Sequence, residues 1–346
     1  MIDSIAKEIH LTNLVAGMGS EVKTIYFGGG TPSLLSNEEL QAILIAIRKK
    51  FTISDQVEIT LEANPDDISA TRLQDWKTIG INRLSTGIQS FGEAELKWMN
   101  RAHNAAEAAA CIQLMKEAGF ANFSIDLIYG SPLLDDAAWE RTVQMLINQD
   151  IPHISCYALT VEPKTVLDKL IREQRWKPID PERQARQFLL LMDWMKDAGY
   201  EHYEISNFAK PGSRSQHNSS YWQGKPYFGF GPSAHSYNGS TRKWNVANNA
   251  LYIQSLQQDM IPFEEEVLTP SQQLNEYIMI ALRTMEGVDL EKIKNDFGEG
   301  AVTQLLKGAQ PWISGEKVVR ANERLLLTKQ GKLFADGIAA DLFTLP

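Results

Sequence analysis

The sequence predicts an α/β fold: a parallel sheet of strands alternating with helices, followed by a small winged-helix-like domain. Three observations predict it. Short apolar runs alternate with amphipathic helical segments through residues 1–208. Polar residues recur where those runs end, the rim at which parallel sheets gather ligands. Beyond that point the rhythm stops, and helices followed by a β-like pair close the chain.

The strand candidates in order are Val22 to Phe27, Val57 to Leu61, Arg83 to Ile88, Phe123 to Ile128, His153 to Leu159 and Glu201 to Ile205. Between them, Glu38 to Lys50, Ala105 to Ala118, Trp139 to Gln149 and Pro181 to Ala198 carry apolar residues at three- and four-residue spacing, with charges on the opposite face. Gly119 and Gly199 supply stop signals, and Asp180-Pro181 reads as an N-cap with proline at the first helical position. Residues 209–268 read as an irregular, loop-rich connection dense in Gly, Ser, Asn and aromatics. Residues 269–346 read as helices from Ser271 to Met285 and Leu290 to Phe297, then a β pair near Lys317 to Val319 and Arg324 to Leu327.

Composition narrows the partners. The chain has 346 residues, 43% of them apolar, and a net charge of −9, with no basic stripe that could neutralise a run of phosphates. Nucleic acid is therefore not the expected partner, and the mixed charge of the terminal domain does not make its shape a DNA reader. Two cysteines, Cys111 and Cys156, are too few for a disulfide framework or a thiolate-built metal site and read as buried small apolar residues. No signal peptide or transmembrane run is present, so a reducing cytoplasm is the expected compartment.

The rim carries the chemistry. The first strand runs into Gly28-Gly29-Gly30-Thr31-Pro32, the second into Glu62 and Asn64, and the third into Gln89 and Ser90. Asp126 lies in the fourth, and Thr160 and Glu162 follow the fifth. Any one of these alone reads as a cap or turn residue; their recurrence points to a site. The glycine triplet is neither a phosphate-binding P-loop nor a dinucleotide fingerprint. The full series is more specific: Tyr26-Phe27-Gly28-Gly29-Gly30-Thr31-Pro32-Ser33, Glu62-Ala63-Asn64-Pro65, Gly87-Ile88-Gln89-Ser90-Phe91, Asn100-Arg101-Ala102-His103 and Asp126-Leu127-Ile128-Tyr129-Gly130-Ser131-Pro132. In this order it closely resembles the radical S-adenosylmethionine (SAM) proteins of the oxygen-independent coproporphyrinogen III oxidase family, and within that family the haem-chaperone branch.

The resemblance implies a partial parallel, TIM-like (βα)6 barrel lacking its N-terminal strand, with SAM and a [4Fe-4S] cluster at its carboxyl rim. It places the SAM carboxylate on Arg101, its amino-acid end on Gly29, Gly30, Thr31 and Glu62, and its ribose on Gln89 and Asp126, with Thr160 and Ala234 near the adenosine. These residue types suit a zwitterion and a diol. His217-Asn218-Ser219-Ser220-Tyr221-Trp222 matches the motif that marks the haem-chaperone branch, so His217 is the expected haem ligand and His235 the second candidate; a neutral imidazole can ligate haem iron while aromatic rings cover the porphyrin.

One departure accompanies the match. The family's Cys-x-x-x-Cys-x-x-Cys loop does not precede Gly28, and Met1 to Ile9 resembles the interior of the family's first barrel helix. The chain is therefore expected to lack its cluster cysteines, to be inactive as a radical generator, and to leave the strand from Val22 to Phe27 as an unpaired edge, with self-association or marginal stability as the result. The expected function is haem binding and delivery, with haem or porphyrin and a haem-accepting protein as partners. Two alternatives stay open: a coproporphyrinogen III oxidase or dehydrogenase, and an unrelated barrel hydrolase with Glu62 and Asp126 as paired carboxylates.

Overall fold

In the computed structural model, which describes residues 1–13 and 21–344, the first five runs become strands: β1 (Glu21–Phe27), β2 (Thr52–Ala63), β3 (Arg83–Gln89), β4 (Phe123–Tyr129) and β5 (His153–Ala158). Helices separate them: α1 (Ile2–Leu11) precedes β1, and α2 (Asn37–Lys50), α3 (Ala70–Ile79), α4 (Glu93–Trp98), α5 (Ala105–Glu117) and α6 (Asp136–Asn148) follow in turn. Local chemistry sets their ends. Ser36 and Glu39 form a capping box on α2, and Asn104 and Glu107 form another on α5. After α7 (Val166–Arg172), α8 (Pro181–Asp197) starts as the sequence predicts, with Asp180 accepting from the backbone of Glu182 and Arg183.

The main sheet has strand order β1-β2-β3-β4-β5-β7-β6, with β2–β3, β3–β4 and β4–β5 parallel. Its far end corrects the expected sixth parallel strand. β6 (Glu201–Glu204) does not pair with β5; β7 (Asn207–Ala209) lies between them, antiparallel to both. The Glu204 carboxylate accepts from the Ser206 amide at 3.0 Å and from Asn207 Nδ2 at 2.6 Å, which fixes a tight reversal. A strand of three residues is too short to show a period of two, so the reversal left no pattern to read.

The chain divides into two compact units. One comprises Phe27–Leu34 and Thr60–Ser215. Its interior holds Leu84, Ile88, Ile125, Leu127 and Ile154, with Trp76 and Trp139 fully covered by the helices. Cys111 and Cys156 are buried in it, as expected.

The other unit comprises Met1–Tyr26, Leu35–Ile59 and Gln216–Pro346. Here residues 209–268, read as irregular, contain α9 (Gln216–Trp222), α10 (Asn249–Gln257) and a three-stranded antiparallel sheet of β8 (His235–Tyr237), β9 (Thr241–Asn245) and β10 (Phe263–Val267). The glycines that mimicked a loop mark close backbone approach instead: a Cβ on Gly229 would meet the His235 carbonyl oxygen at 2.1 Å. The C-terminal part matches expectation. α11 (Pro270–Leu282), α12 (Leu290–Phe297) and α13 (Glu299–Ser314) pack with α14 (Ala335–Asp341) around Ile278, Ile293, Leu305 and Leu325, and β11 (Val288–Asp289) and β12 (Val318–Ala321) flank β13 (Arg324–Leu327). No helix among the described residues is long and apolar enough to cross a membrane.

Candidate functional site

Side chains two apart on a strand share a face, and the rim residues use that parity. Glu62 and Asn64 sit at the end of β2, Ser85, Gly87 and Gln89 on β3, and Asp126 on β4. In register, Glu62 faces Ser85. The Gly29 amide donates to Glu62 Oε2 at 3.3 Å, and Ser85 Oγ donates to Asp126 Oδ2 at 3.0 Å while lying 2.8 Å from Ser124 Oγ. Arg101 donates to Asn64 Oδ1 at 2.9 Å and to the Gly87 carbonyl at 3.1 Å. Gly29 is thus linked to Glu62, Ser85 to Asp126, and Arg101 to Asn64 and Gly87, whereas Thr160 is exposed and donates to the Ala158 carbonyl at 3.3 Å. Gly30 and Thr31 are exposed in the loop after β1, where a Cβ on Gly29 or Gly30 would meet nothing within 4 Å.

Gln89 is held in an unusual way. Its φ is 66°, and the Ser90 amide donates back to the Ile88 carbonyl at 2.8 Å, making a tight positive-φ turn that costs a non-glycine residue on the order of 1–3 kcal/mol. His103 Nε2, in a ring that burial keeps neutral, donates to the same carbonyl at 3.0 Å. This turn folds the Gln89 amide over Gly87, where an added Cβ would lie 2.8 Å from Gln89 Nε2 and 3.6 Å from an Arg101 nitrogen. Gly87→Ala is expected to push both side chains aside and weaken SAM binding roughly tenfold, the scale set by one misplaced charged hydrogen bond. Because only a flexible side-chain end must yield, the thermal midpoint should barely move. Isothermal titration with a parallel melt checks both, and unchanged affinity would place Gly87 outside the site.

The electrostatics favour a ligand with both charges. Burial lowers the Arg101 pKa, opposed by the Asp66 charge, and Arg101 Nε is shut off from solvent with no hydrogen-bond partner. Burial pushes the Asp126 carboxyl up to about 6, and Glu62 adds to that, outweighing the lowering effects of Ser155, Ser85 and Arg83. Asp126 Oδ1 is likewise closed off without a partner. A cation with an unused donor, a carboxylate with an unused acceptor and an open glycine cradle fit the methionine end and diol of SAM. The thiols do not fit a [4Fe-4S] cluster. Only Cys111 and Cys156 are present, and burial pushes the first up to about 12 and the second well above its usual value, away from the thiolate a cluster needs.

In the other unit, His217 lies in a short helix rather than the expected loop. Its Nδ1 is 3.0 Å from Thr24 Oγ1, its ring stacks on Tyr26 at 4.6 Å and 18°, and the Tyr221 ring meets it edge-on at 5.0 Å and 82°. The Glu58 carboxylate, only 4% exposed, accepts from the amides of Gln216 and His217 at 3.2 and 3.0 Å, so it caps α9 from β2. Tyr221 is 41% exposed, while Trp222 has the Arg283 guanidinium over its ring at 5.4 Å. His235 is exposed on β8 with Trp244 at 6.2 Å, and Ala234 sits in the turn before β8, its amide donating to the Gly231 carbonyl at 3.2 Å. Sequence reasoning missed Thr24, Glu58, Ser85 and Gly87 as members of these sites. Parity with Glu62 and Gln89 was the available signal for Glu58 and Gly87; nothing linear flagged Thr24.

The chain is similar to known proteins along most of its length. Residues 10–146 match the radical SAM superfamily, and residues 268–334 match the HemN C-terminal domain. The chain is 35% identical over 340 residues to the haem chaperone HemW of Bacillus subtilis, covering 96% of this chain and 89% of that protein. It is 39% identical over 230 residues to HemW of Escherichia coli, covering 65% and 59%. Among solved structures, coproporphyrinogen III oxidase HemN of Escherichia coli, a radical SAM enzyme, superposes with a TM-score of 0.81 at 21% identity over 99% of this chain and 82% of that one, a likeness of fold.

Proposed function

The chain belongs to the HemW family of radical SAM proteins, and from that premise we propose that it binds haem through His217 and passes it to an acceptor protein. The observation that carries this reading is the setting of the His217 imidazole, stacked on Tyr26 and flanked edge-on by the partly exposed Tyr221. An oriented imidazole beside aromatic surface is what a porphyrin iron and its ring require. The coproporphyrinogen oxidase reading shares the barrel, but the His-Asn-x-x-Tyr-Trp motif favours the chaperone. Family membership removes the support for a hydrolase using Glu62 and Asp126. The two buried thiols accord with a reducing compartment such as the cytoplasm.

Arg101 is the proposed partner of the SAM carboxylate, with Gly29, Gly30, Thr31 and Glu62 at the amino-acid end and Gln89 and Asp126 at the ribose. Thr160 is proposed for the adenosine. When bound, SAM supplies a sulfonium and an adenosyl group; the residues here hold and orient it. With two buried thiols the chain is proposed to carry no cluster of its own, and no step is assigned through one.

Substituting His217→Ala is expected to raise the dissociation constant for ferric haem by at least about tenfold, the scale on which metal sites respond to losing even an outer partner of a ligating histidine. The Soret band should shift while circular dichroism stays native. Identical spectra and affinities in both proteins would remove His217 as ligand and, with it, this reading's main support.

A further inference from the structure

We infer that Thr24 is a positioning residue for the haem ligand: its hydroxyl holds His217 Nδ1 and so fixes the ring orientation that meets the iron. The inference rests on the haem reading above. Thr24 is in β1 and His217 is 193 residues later in α9, so the 3.0 Å contact is made by the fold alone. A neutral imidazole carries one N–H, and when Nδ1–H donates to Thr24 Oγ1 the lone pair for the metal is on Nε2.

The other contacts restrict the remaining freedoms. Stacking on Tyr26 at an interplanar angle of 18° sets the ring plane, and the Tyr221 edge at 82° limits its tilt. Glu58, accepting from the Gln216 and His217 amides, anchors the backbone from which the imidazole projects. A histidine that ligates a metal commonly has its second nitrogen held by an outer partner, often a carboxylate. Here that partner is an uncharged hydroxyl, a weaker acceptor that makes the imidazole a weaker donor. A ligand of that strength suits haem that must leave again.

The test is titration of ferric haem into the full chain and four variants, followed by absorption and electron paramagnetic resonance, with circular dichroism as folding control. Thr24→Val keeps the shape and removes the oxygen, and should raise the dissociation constant about tenfold and alter the ferric signal. Thr24→Ala should follow Val, and Thr24→Ser should stay within about twofold of the parent, because it restores the hydroxyl. Any other order overturns the inference, including a Val variant that loses its fold while Ala binds as the parent does. If His217→Ala loses haem while Thr24→Val and Thr24→Ala bind normally, Thr24 is not the positioning residue and the haem reading stands. If His217→Ala itself binds normally, the haem reading fails and the inference with it.

Discussion

Asp126→Asn makes the protein more stable at pH 8 and weakens its hold on SAM: that is the expected result. The folded-state pKa of Asp126 lies at about 6, above the ordinary aspartate value of 3.8. A raised carboxylate pKa contributes stability that is present below the unfolded value and is lost as pH rises through the folded value. At pH 8 the ionised, partly buried group therefore opposes folding, and the neutral amide removes that opposition. A rise from 3.8 to about 6 corresponds to about 3 kcal/mol if fully expressed, and because Asp126 is not wholly shut from water the expected gain is about 1–2 kcal/mol. At pH 4 the gain should vanish, since the carboxyl is then largely protonated in the folded state and no longer opposes folding.

Ligand binding moves the other way. An ionised carboxylate can accept from both ribose hydroxyls, whereas the amide offers one acceptor and a donor, so SAM affinity should fall about tenfold or more. In the parent protein the affinity should rise as pH increases through about 6. Urea unfolding at pH 4 and pH 8, with calorimetric SAM titration across that range, checks both halves. A variant that is less stable at pH 8 and keeps its SAM affinity would take Asp126 out of the site.

The second large effect is at Glu8, which is 3% exposed and accepts from the Gly231 amide at 2.9 Å, from Asn245 Nδ2 at 2.6 Å and from the Tyr252 hydroxyl. Burial raises its pKa against the pull of those donors. Glu8→Gln is expected to cost about 2–4 kcal/mol, because an amide nitrogen then faces a donor with no water to relieve it. Asn245 cannot turn its amide without giving up its bond to the Gly231 carbonyl at 2.9 Å. Denaturation of Glu8→Gln, Tyr252→Phe and the double variant would show strong non-additivity. A loss below about 0.5 kcal/mol for Glu8→Gln, the range of ordinary surface changes, would mean that the cluster is not held together by the carboxylate.

Local patterns were enough for much of this protein. The strands and helices of the barrel half, the Asp180-Pro181 start of α8 and the β12–β13 hairpin each depend on neighbours a few residues away, through side-chain period, capping and turn chemistry. The placement of Gly29, Glu62 and Gln89 at strand ends and of Asp126 within β4 was legible from the strand pattern, because a parallel sheet delivers every strand end to one side. The short strands were not legible: β7 to β10 have three to five residues each, too few for a period, and the glycines that allow close backbone approach at Gly229 looked like loop. Only the tertiary structure set Thr24 and Glu58 against His217 and placed Glu8 among Gly231, Asn245 and Tyr252, in contacts spanning 158 to 244 residues. Such pairings are fixed by how whole segments pack to satisfy buried polar groups, and a linear pattern carries no trace of which distant donor will meet which acceptor.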